Sequence, residues 1–223
     1  MDARPSKRIK EILSVLSSDP GNIVTIVSGR NIGSLLELFQ GFDLTALNWS
    51  GTHGMEIRFS GSTAVRSAKP LPCISEIKDR VSRMIRSHPC FALEDKGLAF
   101  ALHYRRCPEQ ELIRLDKIKS LIDKYRGNCP IEVMYMKKVI EVKPAGINKG
   151  NTVEAVVSHY GSPRDRLVIC AGDDVTDEYL FRANPGGINI KVGDPAGSDT
   201  CAGYHLKGIS DVCWFLRSIS RLR

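Results

Sequence analysis

The 223-residue sequence has no apolar run long enough to cross a membrane and no signal-peptide-like apolar segment near its N-terminus. A membrane span needs about 18 or more consecutive apolar residues, so we expect a soluble protein with no membrane partner. The sequence also lacks any Cys-x-x-Cys pair, and its seven cysteines are scattered. An odd number of scattered cysteines predicts reduced thiols rather than a disulfide framework or a zinc site. Together these absences predict a cytoplasmic protein.

Aromatic residues are few, at 7%, whereas basic residues outnumber acidic ones by 32 to 25 and give a formal net charge of +7. A basic balance favours an anionic partner, which could be nucleic acid, a membrane surface or a phosphorylated metabolite. The basic residues are spread thinly, and no zinc-finger spacing or aromatic RNA-binding signature accompanies them. We therefore expect a small phosphorylated molecule and no nucleic acid, with binding through a basic face as the weaker alternative.

Short apolar runs alternate with helical patterns near both ends of the chain. Residues 6–17 predict an amphipathic helix with Ser6 as its N-cap, and the β-branched run at 23–27 predicts a buried strand. A second helical pattern opens near residue 148 and stops at Gly161, and strand patterns follow at 167–171 and 188–192. This alternation predicts an α/β fold with a Rossmann-like parallel sheet.

The middle of the chain differs from its ends. Strand patterns of mixed polarity occur at 53–59, 98–104, 131–136 and 139–142, and helical patterns at 75–87 and 109–125 lie between them. Residues 136–139 predict a hairpin, and strands paired by hairpins with accompanying helices are typical of an α+β module. We therefore predict a core domain at 1–56 and 144–223, with an inserted α+β domain at 57–143.

An acidic segment, Gly-Asp-Asp-Val-Thr-Asp-Glu at 172–178, directly follows the strand pattern at 167–171. Ligands of open parallel sheets bind beyond the carboxyl ends of the strands. Four carboxylates packed this closely repel one another unless a cation neutralises them, and Mg²⁺ prefers oxygen ligands. Capping of a helix by Asp173 or Thr176 is the alternative, but it accounts for only part of the acidic set. The segment therefore favours a metal site.

Two further segments predict a phosphate site. Ser28-Gly29-Arg30 follows the first strand pattern and precedes a helix, so its backbone N–H groups and hydroxyl could bind phosphate, although an ordinary turn is the alternative. Lys149, in Asn148-Lys149-Gly150, lies in a first helical turn, where the helix dipole disfavours a cation. Either Lys149 is simply exposed, or it balances an anion bound at this helix end.

The order of these motifs resembles that of the trehalose-6-phosphate phosphatases in the haloacid-dehalogenase-like superfamily. Further matches are Gly-Thr-His-Gly-Met-Glu at 51–56, His-Tyr-Arg at 103–105 and Glu-Val-Lys-Pro at 141–144, and the likeness spans about residues 3–192. The resemblance implies a phosphomonoester hydrolase that releases phosphate from trehalose 6-phosphate with Mg²⁺. The inserted domain would be a cap that closes on the disaccharide and excludes water. An association with a trehalose-phosphate synthase is a further expectation.

The resemblance also implies roles for individual residues. Ser28 and Lys149 would be the catalytic residues present, the first binding the phosphoryl oxygens and the second neutralising them. Asp173 and Asp177 would hold Mg²⁺, with Asp174 in support. The implied substrate-binding residues are Ser28, Gly29, Arg30, His53, Lys96, Glu141, Asn148 and Lys149. For Lys96 and Glu141, ordinary surface charges are the alternative.

The family's nucleophile motif, Asp-x-Asp-Gly-Thr, is missing, and no Asp-x-Asp occurs anywhere in the sequence. In the family the first aspartate attacks phosphorus, and the second acts as general acid and base. The motif ends a central strand, so the strands at 23–27 and 167–171 would lack their ladder partner, at ~1–3 kcal/mol per unpaired buried group. We expect this chain alone to be inactive and most simply an incomplete chain. A non-catalytic sugar-phosphate-binding or regulatory subunit is the alternative.

Overall fold

The structure is a computed structural model that describes residues 4–161, 166–194 and 199–221. The chain forms two compact units: a core unit, Met1–Ser67 with Asn148–Arg223, and an inserted unit, Ala68–Ile147. The sequence placed these boundaries at 57 and 143. Within the described ranges, no helix is long and apolar enough to cross a membrane.

The helices and strands follow the predicted alternation. In chain order they are α1 (Lys7–Ser18), β1 (Thr25–Val27), α2 (Ile32–Leu38), β2 (Asn48–Gly51), β3 (Glu56–Arg58), β4 (Arg66–Ser67), α3 (Pro72–Ile85), β5 (Ala92–Asp95), β6 (Phe100–His103), α4 (Leu112–Arg126), β7 (Ile131–Met136), β8 (Val139–Pro144), α5 (Gly150–Tyr160), β9 (Ile169–Gly172), α6 (Glu178–Arg182), β10 (Ile188–Val192), β11 (Tyr204–Leu206) and α7 (Ile209–Ile219). The predicted α/β class is confirmed.

The core unit contains two sheets. In the first, β1 and β2 are parallel, and β3 and β4 extend the sheet in antiparallel pairs. This pairing keeps residues up to Ser67 in the core unit. The second sheet, β11-β10-β9, is entirely parallel. Among the residues that the structure describes, β1 pairs only with β2 and β9 only with β10, so each strand forms one edge of its sheet.

Helix ends in the core unit lie where the sequence signals predicted. The Ser6 side chain caps α1 by accepting a hydrogen bond from the backbone N–H of Ile9. The apolar stripe of α1 buries Ile12, Leu13 and Leu16, and α5 ends at Gly161, whose φ of 92° suits glycine. One strand prediction needs correction, because the strand expected at 53–59 begins only at residue 56. His53 itself lies in a 3-10 turn at Thr52–Gly54.

The inserted unit is the predicted α+β module. Its antiparallel sheet has the order β5-β6-β8-β7, and β7 and β8 form the predicted hairpin. α3 and α4 supply apolar residues that share one cluster with this sheet: Ile74, Ile77, Val81, Leu115, Ile118 and Ile122 from the helices, and Phe100, Leu102, Ile140 and Val142 from the strands. The unit therefore has its own hydrophobic core.

The prediction of seven reduced thiols is wrong for two cysteines of the inserted unit. Cys73, near the start of α3, and Cys129, just before β7, form a disulfide. They are 56 positions apart in the sequence, so their spacing gives no signal of a pair. Both pack against the hydrophobic cluster of the inserted unit, and this tertiary packing brings them together.

Candidate active site

The acidic segment forms a tight loop after β9. The Asp177 side chain folds back over the end of the strand, where a Cβ atom on Gly172 would overlap it. Asp177 Oδ2 accepts a hydrogen bond from the backbone N–H of Asp174 at 2.9 Å, and Asp174 Oδ1 accepts one from the N–H of Val175 at 2.7 Å. The bond from the Asp174 N–H to Asp177 is one half of a capping box, whose other half is the Asp174 side chain accepting from the backbone N–H of Asp177, so capping accounts for Asp174 and for one oxygen of Asp177.

Lys149 joins the start of α5 to this loop. Its Nζ atom lies 2.7 Å from Asp177 Oδ1, and the two residues are only 7% and 6% exposed. The alternative of an exposed lysine is therefore wrong. The anion that Lys149 contacts in the structure is the carboxylate of Asp177, which leaves the other N–H bonds of the ammonium group available to a further acceptor.

A second buried lysine, which the sequence analysis missed, holds the same loop from β10. Lys191 Nζ lies 3.0 Å from the carbonyl oxygen of Asp173 and 3.4 Å from that of Asp174. It also lies 3.9 Å from Glu178 Oε1, and the Glu178 carboxylate accepts hydrogen bonds from Thr200 and from the backbone N–H of residue 201. A lysine inside the apolar strand pattern at 188–192 was the signal that could have identified it.

Only some of the carboxylates of this loop are free to bind Mg²⁺. Among the described residues, no group of three or more His, Cys, Asp or Glu side chains is arranged to hold a metal. Both carboxylate oxygens of Asp177 are engaged, whereas Asp173 and Asp174 are exposed. Mg²⁺ commonly keeps several waters and is held by one or two carboxylates. The exposed carboxylate of Asp173 fits this mode, whereas both oxygens of Asp174 already accept hydrogen bonds from Val175 and Thr176, and Asp177 could take part only through a water.

Ser28-Gly29-Arg30 lies directly after β1 and contacts the turn that contains His53. Ser28 Oγ accepts a hydrogen bond from the N–H of Arg30 at 3.1 Å, and the Ser28 carbonyl accepts one from the N–H of His53 at 3.0 Å. The His53 ring packs on Gly29, where a Cβ atom would lie 2.5 Å from Nε2. His53 and Thr52 have φ of 56° and 47°, a left-handed conformation that clusters at functional sites.

The same turn leads to the start of α5. Gly54, with φ of 94°, approaches the carbonyl oxygen of Asn148 so closely that a Cβ atom would overlap it. The hydroxyls of Ser50 and Thr152 lie 2.6 Å apart and join β2 to α5. Neighbouring contacts thus run from residues 28–30 through 52–54 to 148–149 and on to the acidic loop. All the predicted site residues outside the inserted unit belong to this one network.

The two predicted site residues of the inserted unit form a pair. Lys96 Nζ lies 2.9 Å from Glu141 Oε2, and the residues are 8% and 1% exposed. The surface-charge alternative is therefore wrong for both. A buried ion pair is weak evidence for stability, because desolvating the charges offsets their attraction.

Comparison with known proteins identifies the family of the chain. The profile of the trehalose-phosphatase family matches residues 1–197. The trehalose-phosphatase of Schizosaccharomyces pombe is 33% identical over 190 residues, which cover 81% of this chain but 23% of that protein. The trehalose-6-phosphate phosphatase of Escherichia coli is 30% identical over 213 residues, 93% of this chain and 75% of that protein. The chain thus spans less than a quarter of one relative and three quarters of the other.

Solved structures share the fold. The C-terminal domain of the trehalose-6-phosphate phosphatase of C. albicans matches with a TM-score of 0.79 at 28% identity, covering 98% of this chain and 86% of that one. The C-terminal domain of a Candida albicans trehalose synthase regulatory protein matches with a TM-score of 0.71 at 15% identity, covering 92% and 84%, and shares only the fold.

One further relative is named as a synthase. Alpha,alpha-trehalose-phosphate synthase [UDP-forming] B of Dictyostelium discoideum is 31% identical over 231 aligned positions, covering 98% of this chain and 28% of that protein. The order of the motifs, the contacts that join their loops and the family match lead to one conclusion: the chain belongs to the trehalose-phosphatase family, whose members are phosphomonoester hydrolases.

Proposed function

We propose that the core unit binds the phosphoryl group of trehalose 6-phosphate for Mg²⁺-dependent hydrolysis, and that these 223 residues alone do not complete the reaction. The observation that carries the proposal is the buried contact between Lys149 and Asp177, which joins the phosphate-binding segment to the acidic loop. The missing step follows from the missing Asp-x-Asp, because no other residue pair in the motifs supplies both a nucleophile and a general acid.

Each segment of the core unit has a part in binding the phosphoryl group. The Ser28 hydroxyl and the backbone N–H groups after it donate hydrogen bonds to phosphoryl oxygens. Lys149 uses one N–H for Asp177 and directs others to the same oxygens. Mg²⁺, held through Asp173 with Asp174 in support and Asp177 acting through a water, would supply further charge neutralisation there. Gly29 permits the close approach of His53 that shapes this side of the site.

Sugar contacts are proposed for polar residues of each unit taken by itself. In the core unit these are Arg30, His53 and Asn148, which belong to the loop network around the phosphate segments. In the inserted unit they are Lys96 and Glu141, whose pairing presents a fixed donor and acceptor to sugar hydroxyls. Loss of either partner leaves the other charge buried and unpaired.

The decisive experiment measures phosphate release from trehalose 6-phosphate with Mg²⁺. The 223-residue chain is compared with a version extended upstream that carries an Asp-x-Asp-Gly-Thr sequence. We expect release only by the extended version, and its loss on Lys149→Met but not on Lys207→Met, an exposed lysine of the core unit. Release by the short chain would refute its inactivity. Failure of the extended version on a panel of sugar phosphates would refute the phosphatase assignment.

Mg²⁺ binding is testable without activity. Isothermal titration of Mg²⁺ into the 223-residue chain should show weaker binding for Asp173→Asn, by at least about tenfold. Asp199→Asn, at another exposed aspartate of the core unit, is the matched control and should leave the affinity unchanged. Equal affinities for the two variants would place the metal elsewhere.

The alternative is a non-catalytic sugar-phosphate-binding or regulatory subunit associated with a trehalose-phosphate synthase. The observation in its favour is that the phosphate and acidic loops are complete while no Asp-x-Asp occurs in the sequence. It predicts binding of trehalose 6-phosphate without hydrolysis and a stable complex with a trehalose-phosphate synthase. The coding DNA upstream of Met1 separates the two accounts, since an in-frame Asp-x-Asp-Gly-Thr favours the enzyme and an immediate stop codon favours the subunit.

A cytoplasmic location is also proposed, because five of the seven cysteines are free thiols. The disulfide between Cys73 and Cys129 makes this worth testing, because disulfides are rare in the cytosol. Fractionation of cells followed by thiol mapping of the recovered protein gives both answers from one sample.

A further inference from the structure

Cys90 and Cys107 lie at the same end of an antiparallel strand pair in the inserted unit. Ala92, the first residue of β5, pairs with His103, the last residue of β6. Cys90 lies just before this pair in the chain and Cys107 just after it. The pairing of the strands therefore brings the two segments that carry the cysteines side by side.

A second contact holds the same two segments on the far side of the cysteines. His88 Nδ1 lies 2.8 Å from Glu111 Oε1, and both side chains are largely buried. Each cysteine thus lies between two fixed points, the β5–β6 pair and the contact between His88 and Glu111. These two points hold the segments that carry the cysteines side by side.

The two thiols are close enough to interact. Both cysteines are half-buried and pack against the hydrophobic cluster of the inserted unit. Burial, and after it a hydrogen bond with the adjacent Cys90 thiol, raise the pKa of the Cys107 thiol to about 12. Neighbouring thiols that remain partly accessible to solvent are the arrangement from which a disulfide forms.

We propose that Cys90 and Cys107 are a site of reversible oxidation, at which a small-molecule disulfide such as glutathione disulfide closes an intramolecular disulfide. The Cys90 thiolate attacks one sulfur of the oxidant, forming a mixed disulfide and releasing one glutathione thiolate. The Cys107 thiol then loses its proton as it attacks the Cys90 sulfur, and the second glutathione leaves as a thiolate. Two protein thiols are oxidised, the oxidant is reduced to two thiols, and the two thiol protons pass to the released glutathione molecules.

The new bond would be nested inside the loop that the Cys73–Cys129 disulfide closes. It would fix the start of β5 to the segment after β6, on the hydrophobic cluster that the first disulfide already contacts. The inserted unit would then hold two nested crosslinks, and its stability would respond to thiol oxidants independently of the phosphate-binding loops.

The test uses the full chain, incubated with glutathione disulfide, alkylated and mapped by mass spectrometry after trypsin digestion. Trypsin cuts after Lys96 and Arg105, so it separates the two cysteines and a crosslink appears as joined peptides. We expect the Cys90–Cys107 crosslink in the unmodified sequence and in Cys201→Ser, which removes an exposed thiol of the core unit. In Cys107→Ser we expect a glutathione adduct on Cys90 and no crosslink.

The proposal fails if Cys201 carries glutathione while Cys90 and Cys107 are recovered as free thiols or as separate glutathione adducts. Modification of Cys201 shows that the oxidant was active, so this outcome is decisive without any variant. Thermal unfolding gives a second measurement: the midpoint should rise on oxidation of the unmodified sequence and stay constant for Cys90→Ser. An equal rise in Cys90→Ser would also overturn the proposal.

Discussion

Lys149 Nζ lies 2.7 Å from Asp177 Oδ1, and this buried contact joins the start of α5 to the loop after β9. Removing both charges from water costs several kcal/mol, so the pair does little for net stability. The pair instead fixes the position of the Lys149 ammonium group beside the acidic loop. Asp177 also accepts a hydrogen bond from the N–H of Asp174, which holds the carboxylate within the loop. The segment at 148–150 and the acidic loop, for which phosphate binding and metal binding are proposed, are thereby held together.

Replacing Lys149 alone should therefore destabilise the core unit strongly. Lys149→Met leaves the Asp177 carboxylate buried without its counter-ion, and we expect a loss of about 3 kcal/mol in the free energy of unfolding. Adding Asp177→Asn to the Lys149→Met variant removes the unpaired carboxylate charge and should recover part of this loss. Urea unfolding of the unmodified chain, of Lys149→Met and of the double variant measures these free energies. The control, Lys207→Met, should lie within about 0.5 kcal/mol of the unmodified chain. A Lys149→Met variant as stable as this control would contradict the buried pair.

Two glycines of the loop network should respond differently to substitution. A Cβ atom on Gly29 would meet the His53 side chain, whereas one on Gly54 would meet the Asn148 backbone at a φ of 94°. Each change to alanine should cost about 1–3 kcal/mol. His53→Ala should relieve the cost at Gly29 but not at Gly54, because only the first clash involves a side chain that the variant removes.

A double-mutant cycle on unfolding free energies checks this pair of predictions. Gly186→Ala is the matched control in the core unit, because a Cβ atom there has nothing within 4 Å. It should leave the coupling with His53→Ala at zero. Equal coupling of His53→Ala to Gly29→Ala and Gly54→Ala would contradict the packing of the His53 ring on Gly29.

Sequence patterns predicted those elements in which local signals and tertiary packing agree. The stripe of α1 with its Ser6 cap and the stop of α5 at Gly161 are examples. β2 was missed because two of its four buried residues are polar. Asn48 and Ser50 find partners in Tyr160 and Thr152, more than 100 positions away, so no local period marks the strand.

In the candidate site, too, contacts between residues far apart in the sequence could not be predicted from local patterns. Its motifs could be located because charged and glycine-rich segments follow strand patterns, and the structure brings Lys149 to Asp177 as their order suggested. Lys191 was missed because its partners are the backbone carbonyl oxygens of residues 173 and 174. A contact to the backbone leaves no pattern in the sequence of the partner residues. The disulfide between Cys73 and Cys129 was missed because the sequence cannot show which distant thiols share a core.

Reducing that disulfide should destabilise the inserted unit. It joins cysteines 56 positions apart, and a crosslink that closes a loop of this length is worth about 4 kcal/mol in the chain-entropy treatment. Thermal unfolding with and without dithiothreitol should show a lower midpoint on reduction. The Cys73→Ala/Cys129→Ala double variant should unfold at the lower midpoint in both conditions. A midpoint that responds equally to dithiothreitol in the double variant would show that other thiols carry the effect.

The contact between His88 and Glu111 should make stability depend on acid pH. The hydrogen bond from His88, followed by that from Arg114, lowers the pKa of Glu111 from its ordinary value of 4.5. The folded state thus binds the Glu111 proton less tightly than the unfolded state. The stabilisation is therefore present in full above about pH 4.5 and is lost as the pH falls through the lower folded-state pKa. The Cys107 thiol also faces this carboxylate, but burial keeps it protonated across the acid range.

Urea unfolding between pH 3 and pH 6 tests this dependence on the unmodified chain and on Glu111→Gln. The variant should be the less stable protein at pH 6, because glutamine removes the charge that His88 and Arg114 contact. The difference should shrink towards acid pH, as Glu111 takes up its proton first in the unfolded state and then in the folded state. Glu109→Gln, an exposed neighbour, should show no such pH-dependent difference. A gap between Glu111→Gln and the unmodified chain that stays constant with pH would instead trace the loss to packing.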